Sequence, residues 1–186
     1  MKRELKNHLI PLGVIFLSIS IFWFLNHVPW YYFLYLFLGF LLGSFFLDID
    51  HIIYWLYLRP DLEESKLASE FIKQKKYKQI IRLLEKNHKT HTSLIFHHYF
   101  FQVILALISV FVFTSSISIF TKGFVLALNI HLIVDEIIDY RSNPRHLLEW
   151  LFAREEKQVP LKSIHYYVFT FLTFCLVFTL LLASSF

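Results

Sequence analysis

Cysteine is nearly absent from this chain, since Cys175 is the only one among 186 residues. A framework of disulfide bonds and a metal cluster held by thiolates are therefore both excluded. No serine lies in the G-x-S-x-G context of a nucleophile elbow, which argues against serine catalysis of that type. The chain also lacks internal repeats and low-complexity tracts, so we expect one domain over residues 1–186.

Apolar side chains are what the chain has in excess. Hydrophobic residues make up 56% of it, 22 residues are Phe, and the mean hydropathy is +0.54. These values are too apolar for a soluble domain of this length and predict an integral membrane protein. The isoelectric point is near 9.1. In a membrane protein an excess of Lys and Arg more often sets orientation than binds nucleic acid, so we expect no nucleic-acid partner.

Five apolar runs follow one another along the chain. They cover residues 9–25, 30–47, 93–113, 117–134 and 164–182. A run of this length can cross the hydrocarbon core as a helix. The first run has the basic start of a signal peptide, but no small-x-small cleavage site follows, and we expect it to be retained. The predicted fold is all-α, a polytopic membrane bundle of about five transmembrane helices.

The basic residues divide unequally between the two sides of such a bundle. Three lie in the head before residue 9, nine between residues 59 and 89, and five between residues 141 and 162. Only Lys122 falls on the other side. The positive-inside rule then predicts a cytoplasmic N-terminus and an external C-terminus in the cytoplasmic (inner) membrane.

The polar insert over residues 59–90 is predicted to form amphipathic helices on the cytoplasmic side. Asp61 and Glu64 have the spacing of a capping box, and apolar residues follow a helical stripe between the basic ones. We expect the insert to lie on anionic membrane lipid, with about 1 kcal/mol of attraction from each of four lysines near the surface. These are Lys73, Lys75, Lys76 and Lys78.

Three groups of His and Asp lie at the cytoplasmic ends of the predicted helices. The first, in the sequence GSFFLDIDH, holds Asp48, Asp50 and His51; the second holds His88, His91, His97 and His98; the third holds His131 and Asp135. The i,i+4 spacing of the third pair places both side chains on one helix face. Snorkelling to water explains any one group alone. Three groups on one side favour a shared metal site.

The predicted metal ligands are drawn from all three groups, with His88 and His165 in reserve. His97 is expected to reach the site only if the third helix begins close to Thr92 and faces the second and fourth spans. His98 points about 100° away and is expected at the interface. Asp50 is also the candidate catalytic carboxylate. The full ligand set is Asp48, Asp50, His51, His91, His97, His131 and Asp135.

Imidazole and carboxylate ligands without thiolate suit zinc first, with iron or manganese as alternatives, as one ion or two. A divalent ion with an open coordination position lowers the pKa of bound water towards 7 and polarises a carbonyl or phosphoryl oxygen. The predicted chemistry is therefore hydrolysis.

The segment Gly43 to His51 resembles the G-S-x-x-P-D-x-D-H signature of the YdjM-like family of inner-membrane, metal-dependent hydrolases, with Leu47 in place of the proline. The sequence THT at residues 90–92 is similar to that family's T-H-S, and HLIVD at residues 131–135 to its H-x-x-x-D. His88 stands three residues before His91, where the family has about five. The resemblance covers the three motifs and the run of spans, and it implies a hydrolase class without a substrate.

Two functions from different classes follow from the sequence. The first is a membrane metallohydrolase whose cytoplasmic site acts on a lipid or other amphipathic ester or phosphoester. The second is a non-catalytic membrane protein, either a metal carrier or a scaffold that holds lipid or a partner. A carrier needs polar groups along a path to the other face, and the first and fifth spans offer only Ser and Thr there.

Overall fold

The structure is a computed structural model that describes residues 2–87, 90–153, 155 and 159–186, with side chains from Asn7 onward. The regular structure of these residues is helical throughout. The helices are α1 (Lys2–Leu25), α2 (Trp30–Phe46), α3 (Ile49–Ile53), a π-helix (Tyr54–Leu58), α4 (Glu63–Lys73), α5 (Tyr77–Asn87), α6 (Tyr99–Thr114), α7 (Ile119–Ser142), α8 (Pro144–Leu151) and α9 (Leu161–Ala183).

Three of the helical segments in the described part of the chain are long and apolar enough to cross a membrane: Asn7–Leu25, Trp30–Leu58 and Leu161–Ala183. Their outward faces are apolar as well. On α1, for example, Ile10, Val14, Leu17 and Ile21 repeat at helical spacing and are all exposed. In a soluble bundle the apolar stripe of a helix faces the core. Here an apolar stripe faces outwards, which is compatible with membrane insertion.

Helix α6 is apolar but shorter than the three spanning segments. Helix α7 is long enough, but it carries Lys122, Asp135 and Glu136. The all-helical membrane fold predicted from the sequence therefore agrees with the structure, while the count of five spans is not confirmed.

Helix α7 is the centre of the bundle. Every residue from Val125 to Ile133 is buried, including Asn129 and His131, so neighbours cover this helix on all sides. Helices α1, α2, α6, α8 and α9 all pack against it. A polar group on its middle turns is therefore enclosed by protein and kept from lipid.

Two glycines let α2 approach α7 closely. A Cβ atom on Gly39 would lie 2.4 Å from the carbonyl oxygen of Phe120, and one on Gly43 would lie 2.6 Å from that of Phe124. The two glycines form the G-x-x-x-G spacing that brings membrane helices into backbone contact. The close contact fixes the position of α2, whose end carries Asp48, Asp50 and His51.

The helix ends collect at two poles. At one pole Trp23 of α1 donates from Nε1 to the carbonyl oxygens of Leu182 and Ala183 at the end of α9. Phe113 near the end of α6 stacks on Phe178 of α9 at the same pole, with ring centroids 4.8 Å apart. The start of α1, the end of α2 and the later turns of α7 consequently meet at the opposite pole, where the candidate ligands lie.

Two local predictions were wrong. Helix α6 begins at Tyr99 and not near Thr92, so residues 91–98 form an irregular segment before it. The expected capping box is also absent, because Leu62 is the N-cap of α4 and makes no side-chain cap bond. Asp61 instead pairs with Arg59 at 3.3 Å, and Glu64 contacts His91.

Candidate metal centre

Helix α7 presents His131 and Asp135 on one face, one turn apart, as their spacing predicted. The Nε2 atom of His131 lies 3.4 Å from Oδ2 of Asp135 and 3.9 Å from Oδ1 of Asp48 at the end of α2. His131 is fully buried, whereas the Asp48 side chain is one-third exposed. Two of the three motifs therefore meet at one point, with Asp48 on its solvent side.

His8 belongs to this group, although the sequence analysis placed it only in the basic head. Its ring stacks on the ring of His131 with centroids 4.3 Å apart, and its Nε2 lies 3.2 Å from Oδ1 of Asp135. Each of His8, His131 and Asp135 offers a ligand atom within 4.8 Å of the other two, and the group could hold a metal ion. No ligand motif surrounds His8 in the sequence, and its position at the start of the first apolar run does not by itself distinguish it as a ligand.

The hydrogen bonds of His131 and His97 fix which ring nitrogen faces the centre. Nδ1 of His131 lies 2.9 Å from the carbonyl oxygen of Ser44, which can only accept, so Nδ1 carries the proton. Nδ1 of His97 lies 3.3 Å from the carboxylate of Asp50 and donates in the same way. In the neutral rings Nε2 then keeps its lone pair, as a metal ligand requires.

Three such nitrogens converge on Asp135. Among the described residues, the Nε2 atoms of His8, His97 and His131 are buried without a hydrogen-bond partner. His97 Nε2 lies 3.7 Å from Oδ2 of Asp135. Ligand atoms about 2.0–2.2 Å from one ion at a tetrahedral angle stand about 3.3–3.6 Å apart. The separations of His8 and His131 from Asp135, 3.2 Å and 3.4 Å, are close to that range, whereas His97 is not part of the group whose ligand atoms all lie within 4.8 Å of one another.

Asp50 holds the irregular segment before α6. Its two carboxylate oxygens accept from the backbone N–H groups of Ile95 at 3.0 Å and Phe96 at 2.5 Å, in addition to His97. The side chain is fully buried. With its oxygens engaged in this way, Asp50 is better placed to orient His97 than to bind a metal or transfer a proton. This explains how His97 reaches the centre from an irregular segment.

His51 and His91 form a second group beside the first. Their Nδ1 atoms lie 2.7 Å apart, and Nε2 of His91 lies 3.2 Å from Oε1 of Glu64 in the insert. The ring of His51 is 5.8 Å from that of His97, which in turn is 6.0 Å from that of His131. The seven predicted ligands are thus contiguous but fall into two groups joined through His97 and Asp50.

Glu64 is the acidic residue that joins this second group. Its carboxyl has a pKa raised by partial burial. The sequence predicted only a helix-capping role for Glu64, because its contact with His91 depends on how the insert folds back. Tyr54 of the π-helix completes the surroundings by stacking on His91 with ring centroids 4.1 Å apart.

The other histidines named from the sequence are His88, His98 and His165. His88 is outside the described residues. His165 contacts the hydroxyl of Tyr140. His98 is buried rather than interfacial, and its Nδ1 accepts from the backbone N–H of Phe100 as the N-cap of α6.

The charged side chains that the bundle encloses in the described part of the chain are carboxylates. The buried polar residues in the described part of the chain include Asp50, Glu136 and Asp139, but no Lys or Arg. Buried carboxylates are costly unless they are paired or coordinate a metal. Trp150 and His146 bond the Asp139 carboxylate at the corner of α7 and α8. The other carboxylates of this region include Asp50, which contacts His97 and two backbone N–H groups, and Asp135, which contacts His8 and His131.

Comparisons with protein-family models, curated proteins and solved structures found no match. The resemblance to the YdjM-like family accordingly stays a prediction from the three motifs.

Proposed function

We propose that this protein is a membrane-embedded, metal-dependent hydrolase that acts on a lipid or another amphipathic ester or phosphoester. The observation that carries this proposal is the convergence of His8, His131 and Asp135, with ligand atoms within 4.8 Å of one another at the buried end of the bundle. Imidazole and carboxylate ligands favour zinc, with iron or manganese as alternatives.

The residues divide into three roles. His8 and His131 would hold the ion through Nε2 and Asp135 through a carboxylate oxygen, and His97, whose Nε2 lies 3.7 Å from Asp135, would complete the set. A bound ion would supply Lewis-acid chemistry and a more acidic water. Asp48, whose side chain is one-third exposed, would be the proton acceptor. Asp50 positions His97, so the catalytic role that the sequence suggested for Asp50 passes to Asp48. A second ion stays a prediction.

The centre faces the cytoplasm in this proposal, with five spans and an external C-terminus. Support comes from the grouping of helix ends, since an alternating path places the ends that carry the candidate ligands at one pole. The exposed basic residues of α4 and α5 belong to the insert beside His91, whereas Lys122 belongs to the first turns of α7 at the other pole. This distribution is the one that the positive-inside rule expects.

A carrier is less well supported, because the interior beyond His131 is apolar. Towards the opposite pole α7 buries Leu126, Leu128 and Ile130. The Asn129 side chain there donates to Ser109 at 2.9 Å and to a backbone carbonyl, so it is engaged within the protein. These contacts offer an ion little to replace its ligands on a path across the membrane.

The decisive experiment measures metal content and hydrolysis together. We expect the purified protein to contain about one zinc, iron or manganese ion per chain by mass spectrometry, and to hydrolyse a fluorogenic phospholipid in mixed micelles. The double variant His131→Ala, Asp135→Ala should lose both. The matched control is His146→Ala, which removes a histidine from a different carboxylate contact, with Asp139, and should keep the metal. Equal metal in the double variant and the native protein would overturn the proposal.

A further inference from the structure

A groove lined almost entirely by apolar side chains lies between α1 and α2. Its volume is 130 Å³. The lining side chains come from one face of each helix and are apolar except for Ser44. They are Leu9, Leu12 and Phe16 of α1 and Phe37, Phe40, Leu41 and Ser44 of α2, with Gly13 between them.

Gly13 keeps the middle of the groove open. A Cβ atom built on this residue would meet nothing within 4 Å, in contrast to the glycines of α2. Glycine within a helix is unfavourable relative to alanine. The missing side chain is therefore not explained by helix packing, and it leaves space on the side of the bundle that faces lipid.

One end of the groove is closed by aromatic rings. Phe16 makes edge-to-face contacts with Phe37 and Phe40, with ring centroids 5.9 Å and 6.0 Å apart. These contacts lie about two helical turns from Leu9, which is the length over which a chain could lie between the helices. The flanking side chains Leu9, Phe37 and Leu41 are exposed, so the groove is open to the lipid side.

The other end of the groove reaches the candidate metal centre. The carbonyl oxygen of Ser44 accepts from Nδ1 of His131, and Leu9 directly follows His8 in α1. Leu12 lies one turn beyond His8 on the same face. An apolar groove open to lipid is therefore continuous with a polar group whose residues could hold a metal ion.

We propose that this groove holds one acyl chain of a membrane glycerolipid, with the ester or phosphoester of that lipid at the group of His8, His131 and Asp135. The inference rests on the proposed function and specifies its substrate class. In the reaction the water oxygen bonds to the carbonyl carbon or phosphorus, the bond to the alcohol oxygen breaks, and the alcohol leaves with a proton from the water. The chain end stays between α1 and α2 throughout.

The test is photo-crosslinking with a phosphatidylcholine that carries a diazirine on one acyl chain, in vesicles, followed by mapping of the modified peptides. We expect modification of the lining residues of α1 and α2 above the level on other lipid-facing surfaces. Gly13→Phe fills the groove and should reduce this modification about tenfold, because excluding two methylene groups from an apolar site costs that much binding. Gly13→Leu is the second variant if Gly13→Phe does not fold.

The matched control is Val14→Phe, which adds a ring to the next residue of α1, where the side chain is exposed outside the groove lining. It should leave the crosslinking pattern unchanged. Equal loss in both variants, or modification spread evenly over all lipid-facing helices, would overturn the inference.

Crosslinking, metal content and hydrolysis of the native protein together separate the two proposals. If the native protein shows crosslinks in the groove but neither metal nor hydrolysis, the hydrolase proposal is refuted and the chain-binding groove stands. If it shows metal and hydrolysis without groove-specific crosslinks, the hydrolase proposal stands and the groove inference is refuted.

Discussion

His8 is the residue whose role depends most on tertiary structure. Nothing in its local sequence marks it as a ligand, since it follows a short basic head and precedes an apolar run. Its ring reaches Asp135 only because α1 packs against α7 and stacks His8 on His131. Contacts between residues so far apart in sequence come from the bundle, and the sequence motifs do not contain them.

The variant His8→Ala should therefore weaken metal binding. We expect a loss of affinity of at least about 100-fold, because removing a direct ligand should cost no less than removing a residue that only orients one. Competition with a chromogenic chelator measures the affinity. His27→Asn is the control, since His27 lies just beyond the other end of α1 with φ of 55°, a conformation that Asn tolerates. If His8→Ala binds metal as tightly as the native protein, His8 is not a ligand.

Asp50 gives a second prediction at this scale. In Asp50→Asn one carboxylate oxygen becomes an amide NH2 group, which cannot accept, so one of the partly buried N–H groups of Ile95 and Phe96 loses its acceptor. We expect a loss of about 1–3 kcal/mol in stability from that unsatisfied group, and metal affinity about 10–100-fold weaker because His97 is no longer oriented. Thermal unfolding in detergent and chelator competition measure the two effects.

Asp61→Asn is the matched control for Asp50→Asn, because Asp61 pairs with Arg59 at the surface and exposed pairs contribute little to stability. It should change neither quantity. A native-like affinity in Asp50→Asn would contradict the positioning role.

At the scale of helices, the sequence predicted most of the bundle and missed its irregular parts. Apolar runs of spanning length identify α1, α2 and α9 because the bilayer sets their length. The i,i+4 spacing identified the face of α7 that carries His131 and Asp135. The irregular segment at residues 91–98 could not be predicted, because a carboxylate from another helix, Asp50, satisfies its backbone N–H groups. Glu64 was missed for a similar reason, since the folded insert determines its contact with His91.

The close contact of α2 with α7 gives a testable prediction about helix packing. In Gly39→Ala the new methyl group would lie 2.4 Å from the carbonyl oxygen of Phe120 and 2.8 Å from the backbone nitrogen of Phe124. Both are backbone atoms on the central helix, so the helices must separate. We expect a loss of about 1–3 kcal/mol or more, measured as a lower unfolding temperature in detergent.

Gly13→Ala is the matched control for this contact, because its new methyl group meets nothing within 4 Å. It should be neutral or stabilise the protein by about 0.5–1 kcal/mol, the difference between the two residues within a helix. If Gly39→Ala is as stable as Gly13→Ala, α2 and α7 are not in the close contact described.

For the whole molecule, the arrangement of the helices explains why distant motifs share one site. A chain that alternates direction brings the start of α1, the end of α2, the start of α6 and the end of α7 to the same pole. Residues 8, 48–51, 91–97 and 131–135 then meet, although up to 127 positions separate them. From the division of Lys and Arg along the sequence, the positive-inside rule predicts that this pole faces the cytoplasm.

That assignment is tested by the accessibility of cysteines placed at the two poles. Lys76 in the insert and Ser116 between α6 and α7 are both exposed, and each can be replaced by Cys. We expect Lys76→Cys to react with a membrane-impermeant maleimide only after the cells are opened, and Ser116→Cys to react in intact cells. The native Cys175 is buried and its Sγ contacts the carbonyl oxygen of Asn129, so it should stay unlabelled and the unmodified chain serves as the blank. Labelling of Lys76→Cys in intact cells would place the insert and the candidate centre outside, and labelling of both positions there would contradict the alternating five-span path itself.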